Sequence, residues 1–217
     1  MNKGRIITVL KLIGKQTALF DTPSVTLFSK KKDPFLVLVS CILSLRTKDK
    51  VTVTASNRLF CVADNPYGIL RLSRKRIEKL IYPVGFYRNK AKTILDICNK
   101  IIRDFDAKVP DNLNDLLSLK GVGRKTANLV LGLGFNIPAI CVDTHVHRIS
   151  NRLGWINTDT PEQSEMALKD IVPRVYWIRL NTLLVTFGQN ICLPVSPYCS
   201  KCFIEKHCAK NGVKSSR

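Results

Sequence analysis

Acidic residues are scarce in this chain. Sixteen Asp and Glu stand against thirty-five Lys and Arg in 217 residues, which leaves a formal charge of +19. Solubility alone needs far less charge than this. The surplus points to a polyanionic partner held through phosphate contacts and counterion release. Charge alone leaves RNA or a membrane surface open as that partner. Long apolar runs are also missing. The longest, residues 34–45, is interrupted by Ser40 and Ser44 and is too short to cross a bilayer. Residues 1–20 mix basic and apolar side chains, but Lys11 and Lys15 break the run and no small-residue cleavage site follows. They read as an amphipathic helix, not a signal peptide. An intracellular protein is therefore expected. Period-two patterns are nearly absent: only residues 137–142 look extended, and one such piece cannot make a sheet. There is no internal repeat and no low-complexity linker.

What remains is a chain of ordinary apolar content, 45%, with helical periodicity almost throughout. Leu10, Ile13, Ala18 and Leu19 fit one face of a first helix. Residues 35–45 are apolar nearly all round, as in a buried central helix. Residues 48–62 suit another. Ser73 is a good N-cap for a helix to residue 81, and Pro83-Val84-Gly85 breaks the pattern. Helical spacing resumes over 90–105, with Ala91, Ile94, Ile97, Cys98 and Ile101. A short helix is expected over 112–119. The basic tail, residues 206–217, is expected to fray.

Two glycines flank one apolar residue in Lys120-Gly121-Val122-Gly123-Arg124, between a short leucine-rich helix and a second helix over 125–132. Glycines permit backbone angles closed to other residues and let backbone N–H groups approach a ligand. Val122 can plug the space between the helices. The start of the second helix is a natural phosphate site. Such a hairpin grips a DNA backbone without reading sequence, although Gly-x-Gly by itself is often an ordinary connection. Lys125 stands in the first turn of the second helix. It is a candidate nucleophile, since only a neutral amine can attack; a surface lysine touching phosphate is the alternative reading. Asp143, in Val142-Asp143-Thr144-His145, can cap a helix running to Leu153. His145 and His147, at i and i+2, lie on different helix faces, which disfavours a shared metal.

Eight cysteines divide into two groups. Cys41, Cys61, Cys98 and Cys141 sit in apolar segments and read as buried thiols. Cys192, Cys199, Cys202 and Cys208 have the spacing C-x6-C-x2-C-x5-C. Zinc, an iron–sulfur cluster and two disulfides are the alternatives. An intracellular setting disfavours disulfides. Zinc sites usually pair two short knuckles, and only one is present. Cys₄ ligation suits a [4Fe–4S] cluster.

The run Leu119-Lys120-Gly121-Val122-Gly123-Arg124-Lys125-Thr126-Ala127-Asn128, the Val-Asp-Thr-His block and the cysteine spacing together resemble the endonuclease III family of DNA glycosylases. Two further blocks, residues 42–49 and 84–91, and Phe187-Gly188-Gln189 extend the resemblance over about 34–208. The usual proline before the first glycine is Lys120 here. The resemblance implies an all-α, two-lobed helix–hairpin–helix glycosylase fold. A six-helix lobe over 24–135 would carry the hairpin. Residues 1–23 with 136–217 would form a second helical lobe, with a [4Fe–4S] cluster loop over 192–208. DNA would lie between the lobes. Lys125 and Asp143 would be catalytic. Lys120, Gly121, Val122, Gly123 and Arg124 would grip DNA. Arg46 and Phe86 would fill the hole left by a flipped base, where the family commonly has Gln and Leu. Cys192, Cys199, Cys202 and Cys208 would ligate the cluster.

The implied activity is base-excision repair by a bifunctional glycosylase/lyase that removes oxidised pyrimidines such as thymine glycol and nicks the strand through a lysine Schiff base. The partner would be duplex DNA with a damaged base or abasic site, bound by a monomer. The enzyme would work wherever that DNA is: cytoplasm or nucleoid in a prokaryote, nucleus or mitochondrion in a eukaryote. A related glycosylase for 8-oxoguanine or mismatches, and a non-catalytic DNA-binding protein, are the competing readings.

Overall fold

A computed structural model describes residues 3–217, and every regular element among them is helical. The chain forms two compact units: Ser24–Ile137, and Pro138–Arg217 with the N-terminal segment through Pro23. The N-terminal helix α1 (Lys3–Thr17) belongs to the second of these.

The Ser24–Ile137 unit is built around one apolar helix. Helix α2 (Ser24–Ser29) leads into α3 (Pro34–Ser44), whose residues 35–43 are all buried. Asp33 starts α3: its carboxylate accepts the amides of Phe35 at 2.8 Å and Leu36 at 3.3 Å, and Pro34 takes the first position, where no amide is needed. Each fully buried aliphatic side chain of this kind contributes roughly 1.5–3 kcal/mol. Around it come α4 (Asp49–Phe60), α5 (Pro66–Leu70), α6 (Arg74–Ile81), α7 (Tyr87–Asp104), α8 (Leu113–Leu117) and α9 (Arg124–Leu129). Helices α2, α4, α7 and α9 pack directly on α3. Ser73 caps α6, its hydroxyl accepting the Arg76 amide at 3.2 Å.

In the other unit, α10 (Thr144–Arg152), α11 (Pro161–Ile171) and α12 (Trp177–Asn190) enclose a core with α1. Ile6, Leu10 and Ile13 of α1 meet Val146, Ile149, Leu168, Leu184 and Phe187 there. Thr160 and Gln163 form a reciprocal cap at the start of α11.

Several expectations are corrected. Eight helices, not six, lie in the Ser24–Ile137 unit, because α2 and α5 are too short to display a period. Helix α1 ends at Thr17, so its buried face is Ile6, Val9, Leu10 and Ile13, and Leu19 is left exposed. The second hairpin helix does not run evenly to 132: α9 gives way to a π-helical turn at Val130–Gly134. Such wider turns concentrate at functional sites. Gly134 packs closely there: a Cβ would stand 3.0 Å from the Pro34 Cα, a tight contact. Cys61 is exposed, whereas Cys41, Cys98 and Cys141 are buried. The tail does not fray: Arg217 exchanges backbone hydrogen bonds with Pro197 (2.8 Å) and Ser200 (3.0 Å), and its guanidinium lies 4.3 Å from the Tyr198 ring centre.

Candidate functional site

The hairpin turn is built as its glycines require, but the two glycines do different work. Gly121 has φ +79°, and a Cβ there would lie 2.9 Å from Thr93 Cγ2. The fold itself needs that glycine. Gly123, the N-cap of α9, has φ −93° and ψ 174°, which any residue can adopt, and a Cβ there would meet nothing within 4 Å. Nothing within the fold requires glycine at this position. Val122 is buried, as are Leu116 and Leu119 ahead of it, and the Val122 amide donates to Leu119 O at 3.1 Å. Lys120 turns back to α7, where its amine lies 3.0 Å from a carboxylate oxygen of Asp96. The charge that replaces the usual proline thus answers an acid on the neighbouring helix.

Lys125 is exposed in the first turn of α9. It lines one cavity with Ser44, Leu45, Arg46, Phe86 and Lys90. Arg46 and Phe86 occupy the tips of two loops, one after α3 and one before α7. Both have left-handed backbones, φ +51° and +58°. The Arg46 guanidinium carbon lies 5.7 Å from the Phe86 ring centre, within cation–π range. Cys41, on α3, is no rival nucleophile. Burial pushes its thiol up to about 12, against the opposing charge of Lys125.

Sequence reasoning missed Lys90. It is 7% exposed, and its amine donates to Leu43 O at 2.9 Å, to Leu45 O, and to Thr47 Oγ1 at 3.1 Å. Burial lowers it to about 8. The signal was present: Lys90, Ile94, Ile97 and Ile101 fall on one stripe of α7, and a lysine in a buried stripe calls for acceptors.

Asp143 is the N-cap of α10. One carboxylate oxygen accepts the amides of His145 at 3.0 Å and Val146 at 2.9 Å. His147 Nδ1 lies 2.7 Å from Ser164 Oγ, and His145 Nδ1 lies 3.2 Å from an Arg148 nitrogen. Both histidines are thus held by neighbours within the fold. Helix α10 also carries Arg148 and Arg152, which the sequence reading passed over. Arg148 donates to Cys192 O at 2.9 Å. Arg152 donates to Leu193 O and Pro194 O, each at 2.6 Å, and reaches Cys192 Sγ at 3.5 Å.

Cys192, Cys199, Cys202 and Cys208 are free thiols that line one cavity, floored by Ile149, Leu153, Phe187, Ile191 and Ile204. Burial pushes Cys202 up to about 11 and raises Cys208. Such thiols ionise only beside a compensating cation. Donors aim at the sulfurs: the Lys210 amide lies 3.3 Å from Cys208 Sγ. Among the described residues, no three His, Cys, Asp or Glu side chains are arranged to hold a single metal ion. Four thiols around a shared hollow form a donor set that fits a polynuclear iron–thiolate centre.

Residues 39–174 match the model of the HhH-GPD superfamily base excision DNA repair proteins. Endonuclease III of Thermotoga maritima is 48% identical over 179 residues, 82% of this chain and 84% of that protein. Endonuclease III homolog 2, chloroplastic, of Arabidopsis thaliana is 42% identical over 82% of this chain. The chain spans about half of that longer relative, 48%. A solved structure of a trapped endonuclease III–DNA covalent intermediate, an estranged-adenine complex, matches with a TM-score of 0.83 at 31% identity, covering 97% of each chain.

Proposed function

Because this chain belongs to the HhH-GPD superfamily of base excision DNA repair proteins, we infer that it is a DNA glycosylase with abasic-site lyase activity. Its substrate is duplex DNA carrying a damaged base, and we propose oxidised pyrimidines of the thymine glycol type as the preferred lesions. The observation that carries the reading is the convergence of Lys125, Arg46 and Phe86 on one cavity. A nucleophilic amine beside two loop tips fits a nucleotide drawn out of the stack, with the tips entering the gap.

In this mechanism the Lys125 amine attacks C1′ of the flipped nucleotide. The new C–N bond forms as the glycosidic bond breaks, and the base departs with the electron pair and takes up a proton. Asp143 stabilises positive charge developing on the sugar and moves protons. Sugar ring opening gives the Schiff base, which makes the C2′ proton acidic. Loss of that proton expels the 3′ phosphate, and water releases the enzyme from the cleaved sugar. An excision panel on defined lesions against each opposite base, with plain abasic DNA included, tests the substrate assignment. Release of thymine glycol ahead of 8-oxoguanine and mismatched bases is expected; the reverse order would overturn it.

The two hairpin glycines separate fold from binding. Gly121→Ala is expected to destabilise by about 1 kcal/mol or more, from strain and the Thr93 contact. Gly123→Ala is expected to leave the melting temperature nearly unchanged while weakening DNA binding, because its Cβ would obstruct only an approaching backbone. Thermal melts beside fluorescence-anisotropy titrations check the pair; unaltered affinity in Gly123→Ala would remove that turn from the interface.

Cys192, Cys199, Cys202 and Cys208 are proposed to hold a [4Fe–4S] cluster. When bound, it supplies iron–thiolate bonds that fix the 192–208 loop in place. Arg148 and Arg152 tie that loop to α10, the helix that Asp143 caps. The purified protein is expected to be brown, absorbing near ~400 nm, with iron and inorganic sulfide present. Cys202→Ala is expected to bleach that band. Stoichiometric zinc without iron would contradict the assignment.

A further inference from the structure

We propose that Lys90 is a positioning residue for base excision, bracing the Arg46 and Phe86 tips against each other from beneath. This rests on the glycosylase reading above and names a part of that site which neither the motifs nor the chemistry required.

The geometry is specific. The three acceptors of the Lys90 ammonium flank Arg46: Leu43 O in the last turn of α3, and Leu45 O and Thr47 Oγ1 in the loop that leaves it. Lys90 itself stands in the first turn of α7, just beyond Phe86. A second tie runs the same way, since the Gly85 amide donates to Thr47 Oγ1 at 3.2 Å. The loops also touch closely: a Cβ on Gly85 would lie 2.7 Å from Arg46 O. One ammonium and one hydroxyl therefore lock two loops together directly behind their tips.

The arrangement is costly, which argues against a purely architectural role. Lys90 occupies a stripe position where Leu or Met would bury without desolvating a charge. Arg46 and Phe86 hold left-handed backbones that cost roughly 1–3 kcal/mol each in a non-glycine residue and persist only where the surroundings enforce them. An ammonium with three N–H donors satisfies three acceptors, and a neutral amine cannot. Lys90 thus lines the Lys125 cavity as a bound cation and does not compete as nucleophile.

Bracing the tips matters most when a base must be expelled from the stack, and least when the base is already gone. The test uses the full chain and single-turnover kinetics on two substrates: a thymine glycol duplex, and a single strand with a preformed abasic site. In Lys90→Met, base excision is expected to fall roughly 100-fold, as for a displaced positioning group, and β-elimination at the abasic site at least roughly tenfold less. Thr47→Ala removes the shared acceptor without entering the core, and is expected to show the same selective loss at smaller size. It decides the matter if Lys90→Met does not fold. Equal losses on both substrates, or none on either, would overturn the proposal. A wild-type protein inactive on both would overturn the glycosylase reading itself, and the bracing role with it.

Discussion

Asp143→Asn is expected to leave the protein folded and reduce base excision by roughly 10²–10⁴-fold. The separation follows from the two tasks of this side chain. As N-cap of α10 it accepts the His145 and Val146 amides through one oxygen. Asparagine presents an acceptor oxygen in the same place and ranks with aspartate as a cap. The charge does not survive the change. A neutral amide cannot stabilise cationic sugar or take up a proton, so catalysis falls while the helix start stands. Single-turnover excision beside thermal melts reads both. A fall in melting temperature as large as that of Asp143→Ala, or excision within a few-fold of wild type, would show the carboxylate to be only a cap.

Lys125→Ala is expected to bring base release and strand nicking together to the background rate. The two fall together because one amine carries both steps, attack at C1′ and the imine that acidifies the C2′ proton. Lys125 is exposed on α9, so its truncation leaves no cavity in the core. Surface changes of that kind shift stability by about 0.5 kcal/mol or less. Affinity for damaged duplex is expected to weaken only modestly, since one phosphate contact among many in a +19 protein is lost. Base release that persists without nicking would leave an activated water as the nucleophile, with Lys125 a lyase residue alone.

The parts of the molecule legible in the sequence are those where local chemistry decides local structure. Ser73 and Asp143 cap helices because short oxygen-bearing side chains reach first-turn amides, whatever the tertiary setting. The Gly-Val-Gly turn and the four-cysteine spacing were likewise local. Features decided by distant partners were not legible. Lys90 reads as one more basic residue until Leu43, Leu45 and Thr47, more than forty positions away, are placed around it. The ion pair between Lys120 and Asp96 needs α7 beside the hairpin. The tail is held by Pro197, Ser200 and Tyr198, so a composition that reads as loose becomes ordered through contacts no window contains. At the π-helical turn Val130–Gly134, Gly134 lies close to Pro34, a contact across about a hundred positions.

Mapping the residue that becomes covalently joined to DNA tests the central claim most directly. Wild-type protein would be incubated with thymine glycol duplex and borohydride, digested, and the sugar-bearing peptide sequenced by mass spectrometry. The reduced sugar is expected on Lys125, and the adduct is expected to be absent from Lys125→Ala. An adduct on Lys90 or Lys120, or an adduct that persists undiminished in Lys125→Ala, would contradict the account.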